Sequence, residues 1–203
     1  MTQKEQGKDR KDQGSERPAN HVLATAELRQ AKLRRTAFPE RPRNPIVVVL
    51  DGVRQNYNLG AIFRLCDAFL VQRLVICGVP VMLHKRKLVR AAAGTQHWVP
   101  WEQADDAAAV VRAAKDAGHW IAAIELTAHS VGLAAMQPRF PAVLVLGGEL
   151  SGVSENALAL VDQAVAIPML GMANSLNVST AAAIVLHDLA QRCAVRGESA
   201  TAG

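Results

Sequence analysis

The chain opens on a polar stretch and then changes character. Residues 1–19 mix charges without apolar periodicity and read as disordered. Asn20 can cap a helix over His21–Arg35, with Val22, Leu23, Ala26 and Leu33 on its apolar side. Phe38-Pro39, Pro42 and Pro45 form a stiff linker. Beyond it, short β-branched runs alternate with stretches of helical period. Ile46–Leu50 (IVVVL) is apolar at every position, the pattern of a strand covered on both faces. Leu74–Cys77, Trp120–Ile124 and Val143–Leu146 are further strands, and Val165–Ile167 is a short one. Helices are predicted over Asn58–Leu70, Lys85–Ala92, Ala104–Ala117, Ser154–Val161 and Ser175–Arg192, and Gly94–Trp101 reads as loop or short strand. Asn58 and Ser175 are placed to cap two of the helices, and Gly118 stands at the C′ position of a third. The alternation predicts an α/β fold, a mostly parallel sheet with helices on both faces. The expected organisation is an arm over residues 1–43, one domain over 44–197 and a flexible tail over 198–203.

Half of the 203 residues are hydrophobic but only 4% are aromatic, so the core must be built from Ala, Val, Leu and Ile. No apolar run approaches the ~18–20 residues that cross a bilayer, and the N-terminus lacks the apolar region of a secretory signal. The chain therefore reads as soluble and cytoplasmic. Cys66, Cys77 and Cys193 are too few and too scattered for a disulfide framework or a zinc site, and no metal is expected. The net charge of +5 is localised: residues 1–43 hold eleven Lys/Arg against six Asp/Glu, while residues 44–203 hold twelve of each. A basic arm on a neutral domain can hold a polyanion near a site, although it can equally be a solubilising tail.

Three segments carry possible chemistry. Asn56–Arg64 (NYNLGAIFR) follows the first core strand, with Asn58 able to cap a helix, Gly60 allowing close backbone approach to a ligand, and Arg64 near the helix start. Leu146–Val153 (LGGELSGV) follows another core strand, and its three glycines and Glu149 suggest backbone wrapped around a small molecule. It is neither a phosphate-cradling P-loop nor a dinucleotide turn. Ile167–Ala183 runs from a short strand through a glycine-containing loop and a Ser175-Leu176-Asn177 step into an alanine-packed helix. In open α/β sheets the carboxyl ends of strands are where ligands bind.

In this order the three segments resemble the signature motifs of the SpoU (TrmH-like) branch of the SPOUT RNA methyltransferases, over roughly residues 45–192. The resemblance implies an α/β-knot with a C-terminal trefoil, S-adenosylmethionine as cofactor, and methyl transfer to a ribose 2′-hydroxyl of tRNA or rRNA. It also implies a homodimer through the closing helix, where Ile184, Val185 and Leu189 offer apolar area. Asn58 and Arg64 match the first motif's polar pair, Glu149 the second motif's carboxylate, and Ser175 and Asn177 the third motif's pair; these five are the candidate catalytic residues. Leu146, Gly147, Gly148, Ile167, Met169, Ser175 and Leu176 would hold the cofactor.

The separate RNA-binding domain found before many relatives' catalytic domain is not expected here. RNA contacts then fall to the basic arm, with Arg34, Arg35, Arg41 and Arg43, and to the cluster Lys85, Arg86, Lys87 and Arg90. Leu70 stands where relatives often carry glycine. Ile124–Ser130 looks like a segment of the tRNA guanosine-18 branch, which tilts the substrate toward tRNA. Two alternatives stay open: a non-catalytic RNA-binding or ribosome-assembly factor of the same fold, and a methyltransferase acting on a base nitrogen.

Overall fold

The strand β1 (Asn44–Asp51) lies near the middle of a seven-stranded sheet because both of its faces are apolar. The other strands are β2 (Val71–Cys77), β3 (Trp101–Ala104), β4 (Trp120–Ile124), β5 (Val131–Gly132), β6 (Ala142–Gly147) and β7 (Gln163–Ala166). The order across the sheet is β3-β2-β1-β6-β4-β7-β5, and every pairing is parallel. In the computed structural model the described residues are 42–201 with the isolated positions Val22 and Ala24, and side chains are described as far as Cys193. The readings for residues 1–19 and for the helix over His21–Arg35 lie outside the described residues, as do Arg34, Arg35 and Arg41.

Among the described residues five helices cover the sheet: α1 (Asn56–Ala68), α2 (Arg86–Ala92), α3 (Ala107–Asp116), α4 (Glu155–Leu158) and α5 (Val178–Thr201). The two-residue period of β1 divides it between two cores. Ile46, Val48 and Leu50 pack with Leu59, Phe63, Leu88 and Leu186 of α1, α2 and α5. Val47 and Val49 pack with Ala107, Val111 and Ala157 of α3 and α4. Strand–helix alternation and small aliphatic packing are thus as the pattern predicts.

Several boundaries differ, each for a local reason. β3 and β5 are short edge strands of half-exposed residues, so they lack the apolar run that marks the others. α3 starts at Ala107 rather than Ala104 because the Asp106 carboxylate accepts from the backbone N–H of Ala108 (3.0 Å) and Ala109 (3.2 Å). α1 starts at Asn56, so Asn58 is no cap but lies inside the first turn. Ser175 does not cap the closing helix. Asn177 does, its Oδ1 accepting from Ser179 N–H at 2.9 Å. α5 continues past Arg192 to Thr201, into the segment read as a flexible tail, where Glu and Ala favour propagation of intrahelical bonds. Leu70 has φ +48°, a left-handed conformation that explains glycine as the alternative at this position.

Gly60 is small for a different reason from the one its sequence context suggests. A Cβ placed there would lie 2.3 Å from the Leu88 carbonyl oxygen, so the close approach is of α2 onto α1 and not of a ligand.

Candidate active site

The carboxyl ends of β4, β6 and β7 open into a cavity of about 1060 Å³. Small-molecule sites span roughly 300–1,000 Å³, so the volume suits a cofactor-sized ligand. Ile124, Leu146, Val165 and Ile167 give the cavity apolar surface, while the turn 147–153 and the loop 168–177 bring polar backbone to it. All seven residues expected to hold the cofactor line this one cavity: Leu146, Gly147, Gly148, Ile167, Met169, Ser175 and Leu176.

The turn is built from backbone packed on backbone. Gly148 N–H donates to Asp51 C=O at 2.8 Å, and Gly152 N–H donates to Gly148 C=O at 2.9 Å. A Cβ on Gly147 would fall 2.0 Å from the Gly152 carbonyl carbon, which leaves glycine as the residue that fits. Two carboxylates brace the far side. Glu125 accepts from Val153 N–H (3.0 Å) and Leu126 N–H (3.1 Å), and Asp51 accepts from Ser154 N–H (2.8 Å). Sequence reasoning misses both. The signal it offers is position: Asp51 ends β1 and Glu125 directly follows β4.

Asn58, Glu149 and Asn177 meet in one hydrogen-bonded chain across the three motifs. Asn58 is fully buried, and its Nδ2 donates to Glu149 Oε1 while its Oδ1 accepts from Asn177 Nδ2 at 3.1 Å. Asn177 Oδ1 in turn accepts from the backbone N–H and the hydroxyl of Ser179, at 2.9 and 2.7 Å. The ends fix both amide orientations: a carboxylate only accepts and a backbone N–H only donates. Burial also corrects Asn58's expected role. With no surface to offer a substrate, it positions Glu149 and Asn177 and so ties the glycine turn to the head of α5. Ser175 is exposed on the cavity loop, two residues from that chain.

Arg64 lies elsewhere. Six residues on a helix turn through about 600°, so Arg64 and the inward Asn58 leave α1 on different faces. Arg64 lines a second cleft with Tyr57 of α1, Lys87 and Arg90 of α2, and Ser179 and Thr180 of α5. The head of α5 is therefore the wall between the clefts, with Val178 and Ala181 facing the first and Ser179 and Thr180 the second. Among the described residues Arg64, Lys87 and Arg90 form no ion pair. Lys85 and Arg86 are exposed beside them. Arg43 does not join this basic surface. Its guanidinium donates to the carbonyls of Val71 (3.1 Å) and Trp98 (3.4 Å), and burial lowers its pKa against the opposing pull of Asp67. It belongs to the fold.

The SpoU rRNA Methylase family model matches residues 45–187. The chain belongs to that family. A tRNA (guanosine(18)-2′-O)-methyltransferase of Thermus thermophilus is 36% identical over 171 residues, covering 82% of this chain and 84% of that protein. The crystal structure of the Aquifex aeolicus TrmH/SpoU tRNA modifying enzyme superposes with a TM-score of 0.70 at 32% identity, covering 76% of this chain and 78% of the other. An AdoMet-bound rRNA methyltransferase of Sinorhizobium meliloti superposes with a TM-score of 0.67 at 30% identity, covering 74% and 57%. This SpoU-family chain thus carries its three motif segments around the two clefts described. Among the described residues no helix is long and apolar enough to cross a membrane.

Proposed function

We propose that the chain is a cytoplasmic S-adenosylmethionine-dependent RNA methyltransferase that modifies a ribose 2′-hydroxyl, of tRNA in preference to rRNA. The observation that carries this reading is the chain Glu149–Asn58–Asn177–Ser179, which joins all three motifs at the wall between an apolar-floored cavity and a cationic cleft. The cavity fits the cofactor chemically. It has apolar surface at Leu146, Val165 and Ile167 for a purine, and backbone polar groups of the turn and loop for a ribose and an amino acid. Relatives named for 2′-O methylation of tRNA guanosine and an AdoMet-bound neighbour support the same reading.

S-adenosylmethionine, when bound, supplies an electrophilic sulfonium methyl, so the protein's task is chiefly to align and activate the attacking hydroxyl. The new bond is ribose oxygen to methyl carbon, the broken bond is carbon to sulfur, and the hydroxyl proton leaves to solvent or a nearby base. Arg64 stays protonated, which suits it to hold a phosphate bidentately and to stabilise charge developing on that oxygen. The non-catalytic alternative gains nothing from the structure, since Asn58, Glu149 and Asn177, one from each motif, are bonded to one another.

Three further expectations belong to the same proposal. The knotted threading implied by the family accompanies the loop 168–177 and α5. The arm 1–43, Arg43 apart, supplies RNA contacts beyond Lys85, Arg86, Lys87 and Arg90. A homodimer forms against the outer side of α5, and its apolar contribution is narrower than the sequence suggests. Val185 and Leu189 are fully buried in the chain's own core, which leaves Ile184, 36% exposed, with Ala183 beside it. Calorimetric titration with S-adenosylmethionine tests the cofactor site. The reading expects one site per chain in the wild type and its loss on Gly148→Val, whose side chain would press on the Gly52 carbonyl 2.7 Å away. No heat of binding from the folded wild type would overturn it.

A further inference from the structure

The first cavity has a charge that its hydrogen bonds leave uncancelled. Among the described residues its lining includes two carboxylates, Glu125 and Glu149, and no Lys, Arg or His. Glu149 is exposed and held by Asn58. Glu125 is half-buried directly after β4, its two oxygens accepting from Leu126 N–H at 3.1 Å and Val153 N–H at 3.0 Å. The glycine turn closes tightly on it: a Cβ on Gly152 would fall 2.5 Å from Glu125 Oε2. Bracing the turn accounts for the position of this carboxylate but not for the fate of its charge. Backbone N–H groups are dipoles, and among the described residues neither glutamate is in an ion pair. The head of α5 opens on the same cavity at Val178 and Ala181. A helix N-terminus is equivalent to about half an elementary charge, which offsets two carboxylates only in part.

A cleft lined by one sign of charge and walled by apolar groups focuses its field on whatever sits inside. At about 1060 Å³ the cavity is roughly 10 Å across, comparable with the ~8–10 Å over which salt screens charge. A bound ligand therefore lies within reach of both carboxylates. S-adenosylmethionine has one net positive charge near neutral pH, while S-adenosylhomocysteine has none. In the transfer the ribose oxygen bonds to the methyl carbon, the carbon–sulfur pair stays on sulfur, and the hydroxyl proton departs. The sulfonium charge is thereby lost from the ligand. We propose that Glu125 and Glu149 make the cavity discriminate by charge, favouring the sulfonium cofactor over its neutral product, and that Glu125 sets this selectivity. The selectivity rests on the S-adenosylmethionine reading above and adds product release to it, because the cavity's hold on the ligand weakens once the methyl has gone.

The test titrates the full chain by calorimetry with S-adenosylmethionine, S-adenosylhomocysteine and sinefungin, an analogue with an ammonium group in place of the methylated sulfur. The quantity read is the ratio of Kd for S-adenosylhomocysteine to Kd for S-adenosylmethionine. Glu125→Gln should lower that ratio ~3- to 30-fold, the effect of one unit charge ~8 Å away at an effective dielectric of ~20–60. Sinefungin should lose affinity alongside S-adenosylmethionine. Glu125→Asp shortens the brace but keeps the charge, so it should weaken all three ligands alike and leave the ratio near that of the wild type. A carboxylate that only braces the turn would move the three ligands together in both variants. Raising NaCl from about 0.1 M to about 1 M should also shrink the wild-type ratio, as the screening length falls from ~10 to ~3 Å; this arm stands even where Glu125→Gln fails to fold. An unchanged ratio in Glu125→Gln or at high salt, an Asp variant that shifts the ratio as far as Gln, or sinefungin behaving like S-adenosylhomocysteine would each overturn the charge selectivity. The outcome is separable from the wider reading: cofactor binding with a ratio indifferent to Glu125 sinks only this selectivity, whereas a folded wild type that binds none of the three ligands sinks the cofactor site itself.

Discussion

Replacing Asn58 by Asp exchanges one atom group at the centre of the motif junction while keeping its shape. In the wild type Asn58 donates to the Glu149 carboxylate and accepts from Asn177. The Asn58→Asp variant keeps the acceptor toward Asn177 but sets a carboxylate against a carboxylate. A hydrogen bond to a charged group contributes about 1.5–3 kcal/mol. Like charges ~4 Å apart at an effective dielectric of ~20 add up to ~4 kcal/mol of repulsion. Glu149 is exposed, so water screens much of that second figure, and the net loss at pH 8 is about 2–4 kcal/mol. In a domain of this size each kcal/mol moves Tm by about 2–4 °C, giving a fall of roughly 4–16 °C. The pH dependence carries the sign of the argument. Repulsion raises the folded-state carboxyl pKa of the pair in the variant above its unfolded value, so the deficit is greatest at high pH and shrinks as pH falls toward ~5, where one shared proton replaces the lost amide hydrogen. Melts of wild type, Asn58→Asp and Asn58→Ala followed by circular dichroism at pH 8 and pH 5 read this directly, with Ala showing a deficit that barely changes with pH. An Asn58→Asp protein as stable as wild type at pH 8, or with the same gap at both pH values, would refute the junction described here.

Arg64→Ala should reduce methyl transfer ~10²–10³-fold, as removal of a charge-stabilising donor does, with cofactor affinity unchanged by calorimetry, and Arg64→Lys should rescue poorly; transfer near the wild-type rate would remove Arg64 from the mechanism. Gly60→Ala, which on an open helix would stabilise slightly, should instead cost about 1–3 kcal/mol by overpacking, because the new Cβ meets Leu88 O at 2.3 Å and Ala91 Cβ at 2.9 Å; an unshifted urea midpoint would count against that packing. Burial pushes the Cys77 thiol up to about 12, helped by Asp51, and raises Cys66 as well, from ordinary values of 9.0. Both thiols should therefore resist iodoacetamide at pH 8 until the protein is denatured. Because the folded state holds these protons more tightly, their contribution to stability is full below about pH 9 and lost as pH rises toward about 12; rapid native-state alkylation or a flat Tm above about pH 9 would contradict it.

The sheet is legible in the sequence wherever a strand is covered on both faces, because burial there leaves no polar position to blur the run. Ile46–Leu50 and Trp120–Ile124 need no further context. β3 and β5 are not legible, since Trp101–Ala104 is half exposed and Val131–Gly132 is too short to have a period. The site is legible as segments but not as roles. The run from Gln55 to Asn58 resembles any helix start, and what turns Asn58 inward is Glu149, 91 residues away, together with Asn177, 119 away. Gly60 and Arg43 mislead for the same reason. A glycine's close neighbour and an arginine's hydrogen-bond acceptors lie on other elements, and local pattern cannot name them. Asp51 and Glu125 escape sequence reasoning because a carboxylate that braces a turn has no motif of its own beyond its place at a strand end.

Whether a methyl group reaches a ribose oxygen decides the function proposed for this chain. The direct measurement incubates the protein with S-adenosylmethionine bearing a trideuterated methyl group and with unmodified tRNA and rRNA, then digests the RNA to nucleosides for mass spectrometry. The expected product is a 2′-O-methylated nucleoside carrying the heavy methyl at one position of a tRNA, with the mass increase on the sugar fragment. Label on the base fragment, or none on either RNA from a folded, cofactor-binding protein, would contradict it.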